Sequence, residues 1–370
     1  MKDFREEYYD YFYPRSAELK KILCSEIETN GTITFARFME TVLYYPALGY
    51  YTNRDMSLYD DYLTSPKIHR AFGELITEKL LFMWEHMGKP EDFFIVETGP
   101  GDGTLCRQIL NCALLYPDFY ESIHYVILNL NYIELNDSKI SQCIYKDFFV
   151  PLKHVKGCFI SNELLDAFPV HVITCRGDRA EEVFVTVKDG EFIESYGSPS
   201  IELTSYIKNL PSCNRIEINP GSVTWIRKAA ESLDEGYILT IDYGYNEEDI
   251  REKKDGTLMC FYKHTFNRKP FVRPGYQDIT CHVNFSPLIR EGEKSGLTVE
   301  EYTTQRDFLL SLGIEKRIKA LDKTTMNLLD YNSELNGLNR LIDERGLGNI
   351  KVLIQKKIRD SDNVFYNLLE

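Results

Sequence analysis

The 370-residue sequence contains nine cysteines but no C-x-x-C pair. An odd count at irregular spacing excludes a disulfide framework or a zinc site as the basis of the fold. Several of these cysteines stand inside apolar runs, where a free thiol packs as a small core residue. No apolar run approaches the ~20 residues that span a bilayer, which excludes helical membrane insertion. No basic stripe is present, and the formal net charge is −14. Nucleic acid is therefore excluded as the main partner, since phosphate backbones are bound through clustered cations. The pairs Lys253–Lys254 and Lys316–Arg317 read as solvated helix faces. An acidic surface favours a cationic partner, though solubility alone also accounts for it. Linker-like Gly/Ser/Pro stretches and internal repeats are missing too. The acidic opening residues lack both an apolar h-region and the Arg-rich character of a transit peptide, so a cytoplasmic protein is expected. Oligomeric state is not legible, because apolar surface and apolar core look alike in a sequence.

What is present changes texture at about residue 92. Before it, apolar residues at Phe35, Phe38, Met39, Val42 and Leu43 recur at a helical period. That helix stops at Tyr45–Pro46, because the residue before proline disfavours helix. Tyr62-Leu-Thr-Ser-Pro opens a longer helix through about His86. From Phe93, strands are expected at Phe93–Thr98, His124–Leu130, Cys143–Tyr145, Gly157–Ser161 and Tyr237–Asp242. Helices are expected at Thr104–Tyr116 and Ser222–Leu233. Such alternation predicts an α/β fold, a parallel sheet with helices on both faces. Val172–Ser195 reads as a strand pair around a Lys188-Asp-Gly turn. The expected layout is a helical portion over 1–92, then one catalytic domain over 93–370. That domain carries insertions at about 172–215 and 245–285 and a helical stretch at about 306–345. Leu297–Tyr302 and Ile350–Gln355 are candidates to close the sheet.

Glu97-Thr-Gly-Pro-Gly-Asp-Gly-Thr follows the first of these strands and opens a helix. Gly99, Gly101 and Gly103 let the backbone turn tightly and approach a ligand, and the helix start supplies unpaired N–H donors. The spacing is G-x-G-x-G, not the G-x-G-x-x-G of dinucleotide loops, and no Walker-type loop is near. With Glu97 at the strand end, the pattern is similar to the first motif of class I methyltransferases, whose loop cradles the methionine part of the cofactor. Glu97, Gly99, Pro100, Gly101 and Gly103 are therefore candidate cofactor contacts. Other carboxyl ends of the sheet should add more. The second strand ends at Asn129, where an acid usually binds the ribose hydroxyls in this class of enzyme; Asn129 offers a weaker, uncharged contact. Asp147, after the third strand, either holds the adenine amine or merely ends the strand.

With these residues placed, the sequence resembles a named family. Phe35-Ala-Arg-Phe-Met, Tyr45-Pro-Ala-Leu-Gly-Tyr-Tyr, Asp61-Tyr-Leu-Thr-Ser-Pro-Lys-Ile and Phe72-Gly-Glu come first, followed by Glu97–Gly103. Asn162-Glu-Leu-Leu-Asp-Ala-Phe-Pro-Val is the most distinctive element. Ile241-Asp-Tyr-Gly, Gly256-Thr-Leu, Pro274-Gly, Asp278-Ile-Thr-Cys-His-Val, Thr304-Gln and Leu312-Gly-Ile complete the series. In this order they resemble the family of the mitochondrial complex I assembly methyltransferase and its bacterial relatives. The resemblance implies a Rossmann-like sheet with a helical amino-terminal portion and insertions, S-adenosyl-L-methionine as cofactor, and a protein substrate with arginine the favoured acceptor.

Methyl transfer from a sulfonium is an in-line displacement, so the protein supplies position and electrostatics. A guanidinium acceptor stays protonated at neutral pH and needs anionic partners. Glu163, Asp166 and Asp242 are candidates, with Asn162 as a cofactor or substrate contact. Asp166 reads equally as a charge stabilising its own first turn, and Asp242 as a strand-end acid bound to nearby backbone. His282 could take a proton from an oxygen or neutral amine acceptor, although a structural role leads for it and for His264. Tyr50, Tyr51 and Tyr243 are expected in core or pocket wall. Two other functions remain open: a degenerate cofactor-binding scaffold for complex assembly, and a small-molecule methyltransferase.

Overall fold

A computed structural model describes residues 13–53, 64–145, 151–176, 179–208, 215–249 and 255–358. Its contacts divide the chain into two units. One comprises Met1–Leu63, Leu165–Ser222 and Gly244–Asn284; the other comprises Thr64–Leu164, Val223–Tyr243 and Phe285–Glu370.

The second unit is built on a seven-stranded sheet of β1 (Phe93–Thr98), β2 (Ile123–Asn129), β3 (Ile140–Ile144), β4 (Val155–Asn162), β5 (Leu233–Asp242), β6 (Thr298–Thr304) and β7 (Lys351–Lys357). Their spatial order is β3-β2-β1-β4-β5-β7-β6. The first five run parallel, and β7 is antiparallel to both β5 and β6. The inner strands are nearly continuous apolar runs, as a strand covered on both faces requires. Strand order reverses between β1 and β4, so ligands are expected beyond the carboxyl ends of these two strands.

Helices α1 (Ala71–His86) and α2 (Thr104–Ala113) cover one face. Phe72, Leu75, Ile76, Leu80, Leu105 and Ile109 pack there with Ile95, Tyr125, Ile160 and Leu239. Each large apolar side chain so buried contributes about 1.5–3 kcal/mol.

The helix expected from Tyr62 to His86 is broken. Ser65–Ile68 ends at an extended His69 (φ −160°), whose Nδ1 accepts the Ala71 N–H at 3.0 Å as α1 begins. The expected helix over Thr104–Tyr116 stops at Ala113, and the third strand lies earlier than Cys143–Tyr145, at Ile140–Ile144. The helical stretch resolves into Gln305–Ser311, Ile314–Ala320 and Leu328–Leu341. Both candidate closing segments enter the sheet, as β6 and β7.

The first unit has its own core. Strand Arg179–Lys188 pairs with Ile33–Thr34, His171–Arg176 and Glu191–Gly197, and His171–Arg176 pairs with Arg215–Ile218. The hairpin turn falls at Asp189–Gly190, both at positive φ (51° and 80°), which is the Lys188-Asp-Gly turn read from the sequence. Helix Phe35–Tyr44, capped by Thr34 Oγ1 on the Arg37 N–H at 3.1 Å, packs Phe35, Phe38, Met39 and Val42 against Val172, Val183 and Val185. Stretches expected as two insertions thus share a core with the amino-terminal helices. The contacts divide elsewhere than at residue 92, because α1 packs within the sheet unit.

Candidate active site

The glycine loop joins β1 to α2. Gly99, Gly101 and Gly103 have φ of 68°, 60° and 77°, the left-handed region that only glycine enters without strain. The Gly103 N–H closes a turn on the Pro100 carbonyl at 2.9 Å, and the Gly99 N–H bonds the Leu128 carbonyl of β2 at 3.0 Å. A Cβ on Gly99 would lie 2.6 Å from Leu164 Cδ1, whereas one on Gly101 would meet nothing within 4 Å. Asp102 Oδ1 accepts from the Thr104 N–H at 3.0 Å and from the Thr104 hydroxyl at 2.6 Å, capping α2. Lys67 Nζ stands 3.6 Å from Asp102 Oδ2.

Glu97 turns onto the α1/α2 face of the sheet and is buried. Tyr125 donates its hydroxyl proton to Glu97 Oε2 at 2.7 Å. Burial raises the Glu97 carboxyl to about 7, and the Tyr125 hydrogen bond limits that rise. A folded-state value above the unfolded one means stability is lost as pH rises through about 7. Tyr125→Phe should remove the hydrogen bond and deepen that loss. Urea titrations of both proteins should diverge by about 1–2 kcal/mol more at pH 8 than at pH 5; parallel curves would exclude the coupling.

Across the switch point, β4 ends at Asn162 and the chain turns at Glu163, a non-glycine residue at φ +50°. Such strain persists where the surroundings fix it. Here the Glu163 N–H donates to the Ile241 carbonyl at 2.8 Å, and Asp242 Oδ2 accepts the Leu164 N–H at 3.1 Å. Asp242, fully buried, takes the Tyr243 N–H on its other oxygen at 2.8 Å. The Glu163 carboxyl is half-buried; its Oε1 accepts the Ser65 N–H and an Asn162 Nδ2 hydrogen, each at 3.3 Å. Enclosure and then the Asp242 charge push Glu163 up to about 8. Asp242 spends both oxygens on backbone N–H groups, and Glu163 is the group whose proton is exchangeable near neutrality.

Glu97, the loop, Asn129, Asn162, Glu163 and Asp242 therefore all stand at the carboxyl ends of β1, β2, β4 and β5 in one unit. Asn129 Oδ1 is engaged by the Leu130 N–H at 2.9 Å, so its amide is shared with the chain. Asp147 lies outside the described residues. Asp166 and His282 belong to the other unit. Asp166 is buried in the short turn Leu165–Ala167, and its carbonyl accepts the Cys281 N–H at 2.9 Å. His282 donates its own N–H to Thr257 Oγ1 at 2.9 Å, and Thr257 is tied to the buried Glu217. Sequence reasoning missed Ser65, Tyr125, Leu164 and Glu217. Ser65 and Leu164 had a signal, their places in the Thr-Ser-Pro and Asn162-Glu-Leu-Leu motifs.

The edge can receive a ligand that brings a hydrogen-bond donor. The loop lets a ligand approach at Gly101, and Asn162 Oδ1 is a buried acceptor without a partner among the described residues. Burying such a group is costly unless a ligand or water completes it.

Comparison with known proteins agrees. The Methyltransf_28 family of S-adenosyl-L-methionine-dependent methyltransferases matches residues 75–303. The Caenorhabditis elegans protein named "Protein arginine methyltransferase NDUFAF7 homolog, mitochondrial" is 27% identical, over 90% of this chain and 85% of its own. The Homo sapiens protein named "Protein arginine methyltransferase NDUFAF7, mitochondrial" is 26% identical, over 88% of this chain and 80% of its own. A COG1565 superfamily crystal structure from Burkholderia thailandensis, bound to S-adenosyl-homocysteine, superimposes with a TM-score of 0.83 at 26% identity and covers 93% of each chain. The cytoplasmic expectation is corrected by these names: the curated relatives are mitochondrial proteins. With a sheet order that reverses beside a G-x-G-x-G loop and a family match over more than half its length, the chain belongs to this family of S-adenosyl-L-methionine-dependent methyltransferases.

Proposed function

We propose that the chain methylates arginine side chains of a protein substrate, and that Glu163 and Asp242 hold the acceptor. The observation that carries this reading is the pair of acids gathered beside the cofactor loop, one held by two backbone N–H groups and one near neutrality in its titration. The relatives named protein arginine methyltransferases support the same substrate class.

When bound, S-adenosyl-L-methionine supplies an electrophilic methyl group on a sulfonium. Asn162, with the loop from Gly99 to Gly103, would hold that cofactor, and Asn129 would contribute a neutral contact. Asp242 gives the edge a standing negative potential that attracts a guanidinium. Glu163 ionises as the cation arrives and accepts N–H hydrogens, aligning one nitrogen for in-line attack. The methyl–sulfur bond would break as the N–C bond forms, the thioether would leave as S-adenosyl-homocysteine, and Glu163 would accept the proton that the attacking nitrogen sheds. Asp147 is proposed as an adenine contact.

Asn129, an amide where an acid is usual and already bonded to Leu130, favours a second reading: a cofactor-binding assembly factor without turnover. Calorimetric titration with S-adenosyl-L-methionine, then labelling of a lysate of the native cells with the methyl-labelled cofactor, separates the two. Methylarginine in the hydrolysate of a labelled protein band is the expected result. Cofactor binding with label only in small molecules, or in no product, would overturn the arginine assignment.

A further inference from the structure

From Gly256 to Gln277 the sequence has no Asp or Glu, in a chain holding 57 acidic residues against 43 Lys and Arg. The same stretch carries Lys263, His264, Arg268, Lys269 and Arg273. It folds as an antiparallel hairpin of Met259–Tyr262 and Thr265–Asn267, with Tyr262 opposite Thr265, so the turn consists of Lys263 and His264 alone. Both have positive φ, 46° and 60°. This is the two-residue turn that asparagine and glycine fill without strain. A lysine and a histidine there carry a backbone cost, the kind of local rule-breaking that functional sites show.

Lys263, His264, Thr265 and Phe266 are four consecutive exposed residues, and Arg268 and Lys269 are exposed beyond them. Phe266 leaves 73% of its surface in solvent. At the hairpin base, the Arg273 guanidinium lies 4.5 Å from the Tyr262 ring centroid and Lys263 Nζ 5.3 Å from it. The Tyr262 and Tyr13 hydroxyls hydrogen-bond at 3.1 Å, fixing the ring that orders both cations.

We propose that this hairpin docks the protein peripherally on an anionic lipid surface. Four consecutive exposed residues form a convex tip, which meets a plane and encloses no peptide. An aromatic ring among cations suits the headgroup boundary, and anionic headgroups draw the Lys and Arg side chains. The acid-rich remainder of the chain is repelled by the same surface. Contact is therefore confined to the hairpin, and binding is reversible and salt-sensitive. No described helix is long and apolar enough to cross a membrane, so the association is superficial.

Flotation of the full chain with phosphatidylcholine vesicles, with and without about one-third phosphatidylserine, tests this. Binding to the anionic vesicles should exceed binding to neutral ones at least about tenfold at low salt and fall by a similar factor at high salt. Arg268→Glu with Lys269→Glu should abolish the preference while the circular dichroism spectrum and cofactor affinity stay those of the wild type. Phe266→Ser should weaken binding several-fold with the salt slope kept. Equal binding of the doubly substituted and wild-type proteins, or no preference for phosphatidylserine, would overturn the proposal. Capture of a labelled poly-glutamate peptide without vesicle binding would overturn it too, by assigning the tip to an acidic protein partner.

Discussion

Gly99→Ala is expected to weaken S-adenosyl-L-methionine binding by about 30- to 150-fold, equivalent to about 2–3 kcal/mol. Two effects combine at this position. The left-handed φ of 68° strains any L-residue, and the new methyl group would sit 2.6 Å from Leu164 Cδ1. The Leu164 backbone is anchored, since its N–H is held by Asp242, so the contact has to be relieved by the Leu164 side chain or by the loop itself. Gly101→Ala separates the two effects, because its Cβ meets nothing within 4 Å and only the φ of 60° is penalised. It should cost about 1–2 kcal/mol. Calorimetry with S-adenosyl-L-methionine on both variants reads the difference. Equal affinities, or a Gly99→Ala protein as tight as the wild type, would remove the Leu164 contact from the account.

Glu163→Gln is expected to lower kcat by about a hundredfold or more while leaving cofactor affinity within a few-fold, since the carboxylate serves the acceptor. The pH behaviour distinguishes this from a general loss of fit. Wild-type kcat/KM should rise with pH through about 8 as Glu163 ionises, and the glutamine variant should lack that limb. Stability should move oppositely. The folded carboxyl titrates at about 8, above its unfolded value, so the wild type loses stability as pH rises towards and through that point. Glutamine cannot ionise, and at pH 9 the variant should be the more stable protein by about 1–3 kcal/mol. A variant both less active and more stable in alkali is the signature. Wild-type turnover in the variant would take Glu163 out of the mechanism.

These expectations depend on parts of the site that differ in how far the sequence discloses them. Local periodicity carries the inner strands, because a strand covered on both faces must be an apolar run, and Phe93–Thr98 and Tyr237–Asp242 are such runs. The loop is equally legible, since its glycines are demanded by backbone conformation at their own positions. Partners distant along the chain are not. Nothing near Glu163 announces that Ser65, 98 positions away, supplies an N–H to it. Nothing near Glu97 announces the Tyr125 hydroxyl. The broken helix at His69 escapes for the same reason: a side-chain cap at a single residue leaves the apolar period on either side intact. The two cores are hidden by order, because the first unit is assembled from three separated stretches, one read as an amino-terminal portion and two as insertions.

The placement of β7 bears on biosynthesis. This strand, Lys351–Lys357, is among the last described parts of the chain, yet it lies inside the sheet with β5 on one side and β6 on the other. While a ribosome is still translating the residues before it, β5 has no neighbour on that flank and β6 has none to join. Two lengths of unpaired backbone are then open to wrong pairing. Translation has to run past Lys357 before these two strands gain the neighbour they share, so the sheet that carries the cofactor loop closes only after that strand has emerged.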